Sequence, residues 1–328
     1  MIHFAVLFGA LLLDMLAGDD HFVWRRFKHP IVHIGNLIGW ADKLLNREET
    51  AEITREKLGD LTIVVLIIFA VLVGLVLEWA FAFAGWFSLV LEAFLVSVFL
   101  AHRSLIDHVK AVADGLKDGG LEEGRAKVAM IVGRDVKQLD EAGVSRAAIE
   151  SLAENFSDGV IAPAFWYLVF GLPGILAYKV INTADSMVGH MDERYRAFGR
   201  ASAKIDDLAN WLPARMTGIL LCLYSDPKVF ATDWKRFKRA WRVMRKDAHL
   251  HRSPNAGWPE AAMAGQLDIA LGGPRFYAGG VVADEPFLNA GGREEIGERD
   301  VRNAIKVVEE AIGLVLLTLV IIALTSLT

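Results

Sequence analysis

Long apolar blocks constrain this chain more than any other feature. Residues 61–77, 79–101 and 311–327 approach the ~20 apolar residues that cross a hydrocarbon layer about 30 Å thick, and a shorter block covers 2–17. With 54% hydrophobic residues and a mean hydropathy of +0.35, the composition exceeds globular habit. The expected fold is all-α: a polytopic integral membrane helical protein, a single membrane-embedded domain over residues 1–328. The blocks 61–77 and 79–101 follow so closely that they read as a helical hairpin turning near Glu78, and the segments flanking it then share a membrane face. Residues 2–16 resemble a signal-peptide core, but no Lys or Arg precedes them and Asp14 interrupts them, so a retained first helix is expected. The single cysteine, Cys222, lies in an apolar block; it allows no intrachain disulfide and reads as packing.

Two weaker blocks, 160–181 and 208–224, are interrupted by Gly171-Leu-Pro-Gly174 and by Trp211-Leu-Pro-Ala-Arg215. Broken membrane helices are tolerated where the freed backbone groups meet protein or a wet cavity, so these two either cross or are re-entrant. The polar loop 187–204 lies on the opposite face in the first case and on the common face in the second. Lys and Arg crowd three segments, about 18–60, 102–159 and 225–310, which places them and the active face on the cytoplasmic side of the cell membrane.

The third segment opens with Asp226-Pro227, a cap followed by a first-turn proline. Phe230, Trp234, Phe237, Trp241 and Met244 then recur at four- and three-residue steps. Between them lie Lys235, Arg236, Lys238, Arg239, Arg242, Arg245 and Lys246. The pattern suits a basic amphipathic helix on an anionic leaflet, with a cradle for an anionic substrate as the alternative. Residues 107–151 have soluble helical character, with Ser145 capping a helix that runs through Glu154. The glycine pairs Gly272-Gly273, Gly279-Gly280 and Gly291-Gly292 predict loops.

Three acid-and-amide clusters stand at the edges of the broken blocks. Glu150-Ser-Leu-Ala-Glu154-Asn155-Phe-Ser157-Asp158-Gly159 puts Glu150 and Glu154 on one helical face, where like charges repel unless a metal or cationic partner intervenes. A solvated acidic face is the plain alternative. Asn182-Thr-Ala-Asp185-Ser186 follows Lys179, and Asp206-Asp207-Leu-Ala-Asn210 spaces carboxylates and an amide by three and four. Oxygen-rich faces of this kind suit magnesium, which shares its shell with waters and phosphates; capping by Asp206 or Asp207 is the alternative. Ionisable groups at membrane depth are costly and usually functional. Arg215 fits phosphate or carboxylate recognition or a structural pairing, and the turn-rich Arg252-Ser253-Pro254-Asn255 fits an anion-binding loop or a bare linker. His29 and His33 flank a helix start at Pro30 and read as packing rather than metal ligands. No Gly-x-x-x-x-Gly-Lys-Ser/Thr loop occurs, which excludes a P-loop nucleotide site.

Six strings carry a resemblance over nearly the whole chain. They are His29-Pro30-Ile-Val-His-Ile-Gly35, Gly133-Arg134-Asp135, the Glu150 to Gly159 string, Asn182-Thr-x-Asp185-Ser186-Met187, Asp206-Asp207-Leu-Ala-Asn210-Trp211-x-Pro213-Ala-Arg215 and Ser253-Pro254-Asn255-Ala-Gly-Trp258-Pro259-Glu260. In this order they resemble the adenosylcobinamide-phosphate synthase family, CobD/CbiB. The sequence departs from that pattern at Gly18-Asp19-Asp20, where the family more often has Gly-Asp-Pro, and at His33, often Arg.

The resemblance implies an ATP-dependent amide ligation joining adenosylcobyric acid to (R)-1-amino-2-propanol phosphate or an ethanolamine phosphate analogue, with Mg2+ as cofactor and ATP as co-substrate. Metal and base duties then fall to Glu154, Asp158, Asp185, Asp206 and Asp207, and Glu150 joins Glu154, Asp158, Asp185 and Asp207 in the catalytic set. Lys179, Arg215 and Arg252 would seat phosphates. Asn155, Ser157, Asn182, Ser186, Asn210, Ser253 and Asn255 would orient substrate. The expected partners are the corrinoid, the aminoalcohol phosphate, the lipid bilayer and a second copy or other pathway enzymes, with no nucleic acid. Two rival classes use similar features: a magnesium-dependent membrane prenyl-diphosphate transferase, and a membrane transporter or sensor with a site between broken helices.

Overall fold

A computed structural model describes residues 2–18, 28–223, 225–226, 231–277, 281–283 and 285–325. Twelve α-helices are described. They are α1 (Ile2–Ala17), α2 (Pro30–Leu45), α3 (Glu52–Ala82), α4 (Phe87–Val98), α5 (His102–Asp114), α6 (Gly120–Val128), α7 (Glu141–Phe156), α8 (Ala162–Val188), α9 (Arg200–Cys222), α10 (Trp234–Asp247), α11 (Gly257–Leu267) and α12 (Glu298–Thr325). Single π-turns follow α5 at Gly115–Gly119 and α7 at Ser157–Ile161. Among the described residues, four helical stretches are long and apolar enough to cross a membrane: Glu52–Ala82, Phe87–Asp118, Glu141–Val188 and Glu298–Thr325. The chain is therefore a polytopic helical membrane protein. Its residues divide into two compact units. One holds Met1–Ala101, Asp158–Asn210 and Leu319–Thr328; the other holds His102–Ser157 and Trp211–Thr318.

In the first unit α3 packs on α8, and its buried stripe holds Gly59, against the Phe198 backbone, then Ile63, Leu66, Ala70 and Gly74. The small residues permit close approach: a Cβ on Gly74 would lie 2.5 Å from the Pro173 backbone. The opposite side of α3, with Val64, Ile68, Phe69, Leu72 and Val76, is exposed and apolar, as a lipid-facing surface requires. The helix runs through Glu78, and the hairpin turns instead at residues 83–86, where Gly85 supplies a positive φ of 57°. Glu78 does not stand at the turn because the broken helix uses it. Gly171 of α8 leaves helical geometry at φ 64°, ψ −147°, and the freed Leu172 N–H donates to Glu78 Oε1 at 3.0 Å.

The second interruption behaves differently: α9 continues through Pro213. Proline has no N–H to offer the carbonyl four residues back. That carbonyl belongs to Ala209, and the Trp166 indole N–H donates to it at 3.1 Å.

One local expectation holds and three shift. The α2 start at Pro30 holds, with His29 Nδ1 accepting from the Ile31 N–H at 3.2 Å. The cap of α7 is Asp140, whose Oδ1 accepts from the Gly143 N–H at 2.7 Å, while Ser145 is buried inside the helix. The basic helix begins at Trp234 under an Asp233 cap, because Asp226 pairs in a short antiparallel bridge with Ala231. Pro227 and Phe230 lie outside the described residues, as do Asp19, Asp20, Gly279 and Gly280. The glycine-rich stretch is not plain loop. Leu271–Gly272 pairs antiparallel with Phe287–Leu288, and Arg275–Tyr277 pairs with Val281–Ala283.

Candidate active site

Asp206, Asn182, Asn210 and Tyr178 of the first unit share one hydrogen-bonded network. Tyr178 projects from α8 and its hydroxyl bridges the Asp158 carbonyl and Asn210 Oδ1, each at 2.9 Å. Asn210 Nδ2 donates to Asp206 Oδ2 at 3.0 Å, one turn apart on α9, and Asn182 Nδ2 reaches Asp206 Oδ1 at 3.5 Å. Lys179 is buried beside Tyr178 in sequence, Asp185 is half-buried, and Asp207 and Ser186 are exposed. Asp158 stands in the π-turn that follows α7; such single-turn bulges often occur at functional sites.

The network leaves Asp206 short of positive charge. Burial, and then the negative charge of Asp185, push its carboxyl up to about 7, against the pull of the Asn210 and Asn182 amides. Burial also raises Asp207. No Lys or Arg forms an ion pair with Asp206 among the described residues. The aspartates do not make a closed cage. Among the described residues, the group of three His or carboxylate side chains whose ligand atoms all lie within 4.8 Å of one another is His3, Glu78 and Glu92. An open set of hard oxygen donors fits a magnesium ion, which keeps several waters and binds through one or two carboxylates and substrate phosphates.

The second unit holds the other sequence-expected groups. Glu150 is buried, and both of its oxygens are engaged: Oε2 by Arg134 at 2.8 Å and Oε1 by the Gly272 N–H at 2.7 Å. The cationic partner that the Glu150 and Glu154 spacing called for is thus Arg134, and Glu154 is exposed. Asn155 Nδ2 donates to the Ser151 carbonyl and hydroxyl at 2.9 and 3.1 Å. Ser157 Oγ is buried with no hydrogen-bond partner among the described residues. Arg215 lies between two indoles, 4.3 Å from the Trp211 ring centre and 4.6 Å from that of Trp258, and its Nη1 points at Asn255 Oδ1 at 3.4 Å. Ser253 Oγ accepts from the Asn255 and Ala256 N–H groups at 3.2 Å each, which shapes the loop, and Arg252 is exposed on it. Burial pushes the Cys222 thiol up to about 12, in keeping with a packing role.

Sequence reasoning missed Tyr178, the hub of the network, and Glu260, fully buried with an oxygen 3.6 Å from His251 Nε2. It also missed the His3, Glu78 and Glu92 knot, in which the Tyr167 hydroxyl donates to Glu92 at 2.7 Å. Glu260 stood inside a quoted string; Tyr178 gave no signal beyond adjacency to Lys179.

Comparison with known proteins adds a family. The profile of the CobD/Cbib protein family matches residues 7–308. A cobalamin biosynthesis protein CobD of Sinorhizobium fredii is 52% identical over 304 residues, covering 93% of this chain and 92% of that protein. Its counterpart in Brucella anthropi is 50% identical over the same length and coverage. The one in Rhodobacter capsulatus is 47% identical over 286 residues, 87% of this chain and 86% of that protein. No solved structure matches the chain significantly. A match over nearly the whole length, with all six strings in order inside or beside it, makes the chain a member of the CobD/CbiB family.

Proposed function

We propose that the chain acts in cobalamin biosynthesis as an adenosylcobinamide-phosphate synthase, an amide-forming ligase of the cell membrane with its active face toward the cytoplasm. The observation that supports this reading most directly is the network around Asp206, a buried carboxylate held by the Asn210 and Asn182 amides and crowded by the negative charge of Asp185. A ligase that handles ATP and a phosphorylated amine needs such a place. In the proposed reaction the γ-phosphoryl group of ATP passes to a propionate oxygen of adenosylcobyric acid and ADP leaves. The nitrogen of (R)-1-amino-2-propanol phosphate, or of ethanolamine phosphate, then attacks the acyl carbon, and inorganic phosphate leaves as the amide forms.

Asp185, Asp206 and Asp207 would hold Mg2+, with Asp158 of the same unit as a further candidate. When bound, the ion offsets phosphate charge. The amine is protonated at neutral pH and must lose a proton before attack; Asp207, reachable from solvent and with its carboxyl raised above the usual aspartate range by partial desolvation, suits a general base. Arg215, stacked on Trp211 and Trp258 with its Nη1 held by the Trp211 carbonyl, offers its remaining N–H groups to a phosphate. Lys179 and Arg252 are the other cations offered to phosphates; Asn155, Asn182, Asn210 and Asn255, with Ser157, Ser186 and Ser253, orient substrate.

One observation favours a second reading. An apolar cavity of about 570 Å³, lined by Val71, Trp166, Phe170, Tyr178, Leu208 and Ala209 among others, reaches the hub of the network, as a polyprenyl diphosphate transferase would need. A single assay separates the two. Purified protein is incubated with ATP, Mg2+, adenosylcobyric acid and each amine, or with a polyprenyl diphosphate, and products are read by mass spectrometry. The expected mass is that of adenosylcobinamide phosphate, formed only with ATP; turnover of the lipid alone would replace the first reading with the second.

A further inference from the structure

We infer that α10 is an in-plane docking helix whose Trp234, Phe237 and Trp241 edge seats in an anionic lipid surface. The apolar stripe seen in the sequence separates in the structure into two sets. Ala240, Val243 and Met244 are buried, and α11 comes so close that a Cβ on Gly265 would lie 2.7 Å from Ala240 Cα. Trp234, Phe237 and Trp241 instead form a ladder along the other edge, with ring centres 5.4 and 6.0 Å apart, and Trp234 is 65% exposed.

The cations separate in the same way. Arg239 is consumed by the Gly265 and Gln266 carbonyls and by Asp268. Lys238, Arg242, Arg245 and Lys246 border a shallow concavity with Phe237 and Trp241, and none of the four has an ion pair among the described residues. In a chain of net charge −5 this is a concentrated positive face.

Charge and shape select the occupant. A small anion needs donors converging on a point, whereas these lie along a line roughly 12 Å long, eight steps at about 1.5 Å each. A second copy in a two-fold contact would set the same cations against each other. A bilayer surface of anionic lipid accepts both features at once: amphipathic rings rest at headgroup level and Lys and Arg meet phosphates. The unit that carries α10 also carries α12 as far as Thr318, so it is tethered to the membrane.

The full-length protein offers a direct test because Cys222 is its one cysteine. In a Cys222→Ala background, Phe237→Cys, Trp241→Cys and, on the far side of the helix, Arg236→Cys are each labelled with an environment-sensitive fluorophore. The proteins are reconstituted in phosphatidylcholine vesicles with or without phosphatidylglycerol. Positions 237 and 241 should shift to the blue and be quenched by bromine-bearing lipid chains several-fold more than position 236, only in the anionic vesicles. A triple Lys238→Glu, Arg242→Glu, Arg245→Glu variant should lose the difference. Equal quenching at all three positions overturns the inference. So does protection that depends on protein density, which would mark a second copy, or protection that needs an added phosphorylated small molecule.

Discussion

Glu150 and Asp206 are both buried carboxylates, 4% and 8% exposed, each one helical turn before a second polar group of its own motif. The fold treats them in opposite ways. Glu150 receives a guanidinium and a backbone N–H, so its charge is balanced from within the protein. Asp206 receives two side-chain amides and faces Asp185, so its charge is crowded and pushed toward neutrality. Burial of an acid is therefore a poor marker of chemistry by itself. What separates the structural acid from the candidate ligand is whether the chain supplies the counter-charge or leaves it to be supplied from solution.

The contrast can be broken most sharply by amide substitutions on the two sides. Asp207→Asn and Asp206→Asn should cut product formation by about 10³-fold or more while membrane insertion and yield persist, because a hard ion and a base lose their oxygen. Glu150→Gln should instead unfold the protein more easily, since it strands Arg134, at a cost of roughly 3–5 kcal/mol. Thermal unfolding in detergent and activity per folded molecule tell these apart. Activity lost from Glu150→Gln without loss of stability would move that residue into the chemistry.

A pH series sharpens the same difference. Asp206 in the folded state binds its proton more tightly than an unfolded aspartate, about 7 against 3.8. Between those values the native state holds more protons than the unfolded one, so without divalent cation stability is greatest at low pH and falls as pH rises through about 7. The range is at most roughly 4 kcal/mol. Added Mg2+ should remove the loss above pH 7, and Asp206→Asn should flatten the profile. A profile that is unchanged in Asp206→Asn would show that another group carries it.

Smaller in effect is Arg215→Lys. The stacked guanidinium presents a planar fork that an ammonium cannot, so KM for the phosphorylated amine should rise by about tenfold with kcat nearly unchanged. If kcat falls instead while KM holds, Arg215 acts on the reacting atoms and not on seating.

Much of this was visible in the residues themselves. The spans follow from apolar length, the α8 break from Gly171 and Pro173, and the α2 start from His29 and Pro30. What stayed hidden depends on partners far away in the chain. Glu78 looked like a hairpin turn because a charge interrupts an apolar run, and only the Leu172 N–H, 94 residues on, explains it. Glu150 and Asp206 looked alike because spacing along a helix reports which face a residue shares, not what approaches that face. Arg134, a member of a quoted string, became legible as a partner only once α7 was placed against its preceding turn.

The smallest expected effect tests how α9 is held where it carries the Asp206 network. Pro213 removes the N–H that would bond the Ala209 carbonyl, and Trp166 replaces it. Trp166→Phe should leave that carbonyl without its donor at a cost of about 1 kcal/mol, read as a drop in unfolding temperature. Pro213→Ala restores the helical N–H, so in that background the Trp166→Phe cost should shrink, and the double-mutant cycle should show a coupling of roughly 0.5–1 kcal/mol. Additive losses would mean that the indole serves packing alone. Coupled losses would show that a proline placed one turn beyond Ala209 is tolerated because a side chain from α8 completes the backbone, which ties the helix bearing Asp206 and Asn210 to the helix bearing Tyr178.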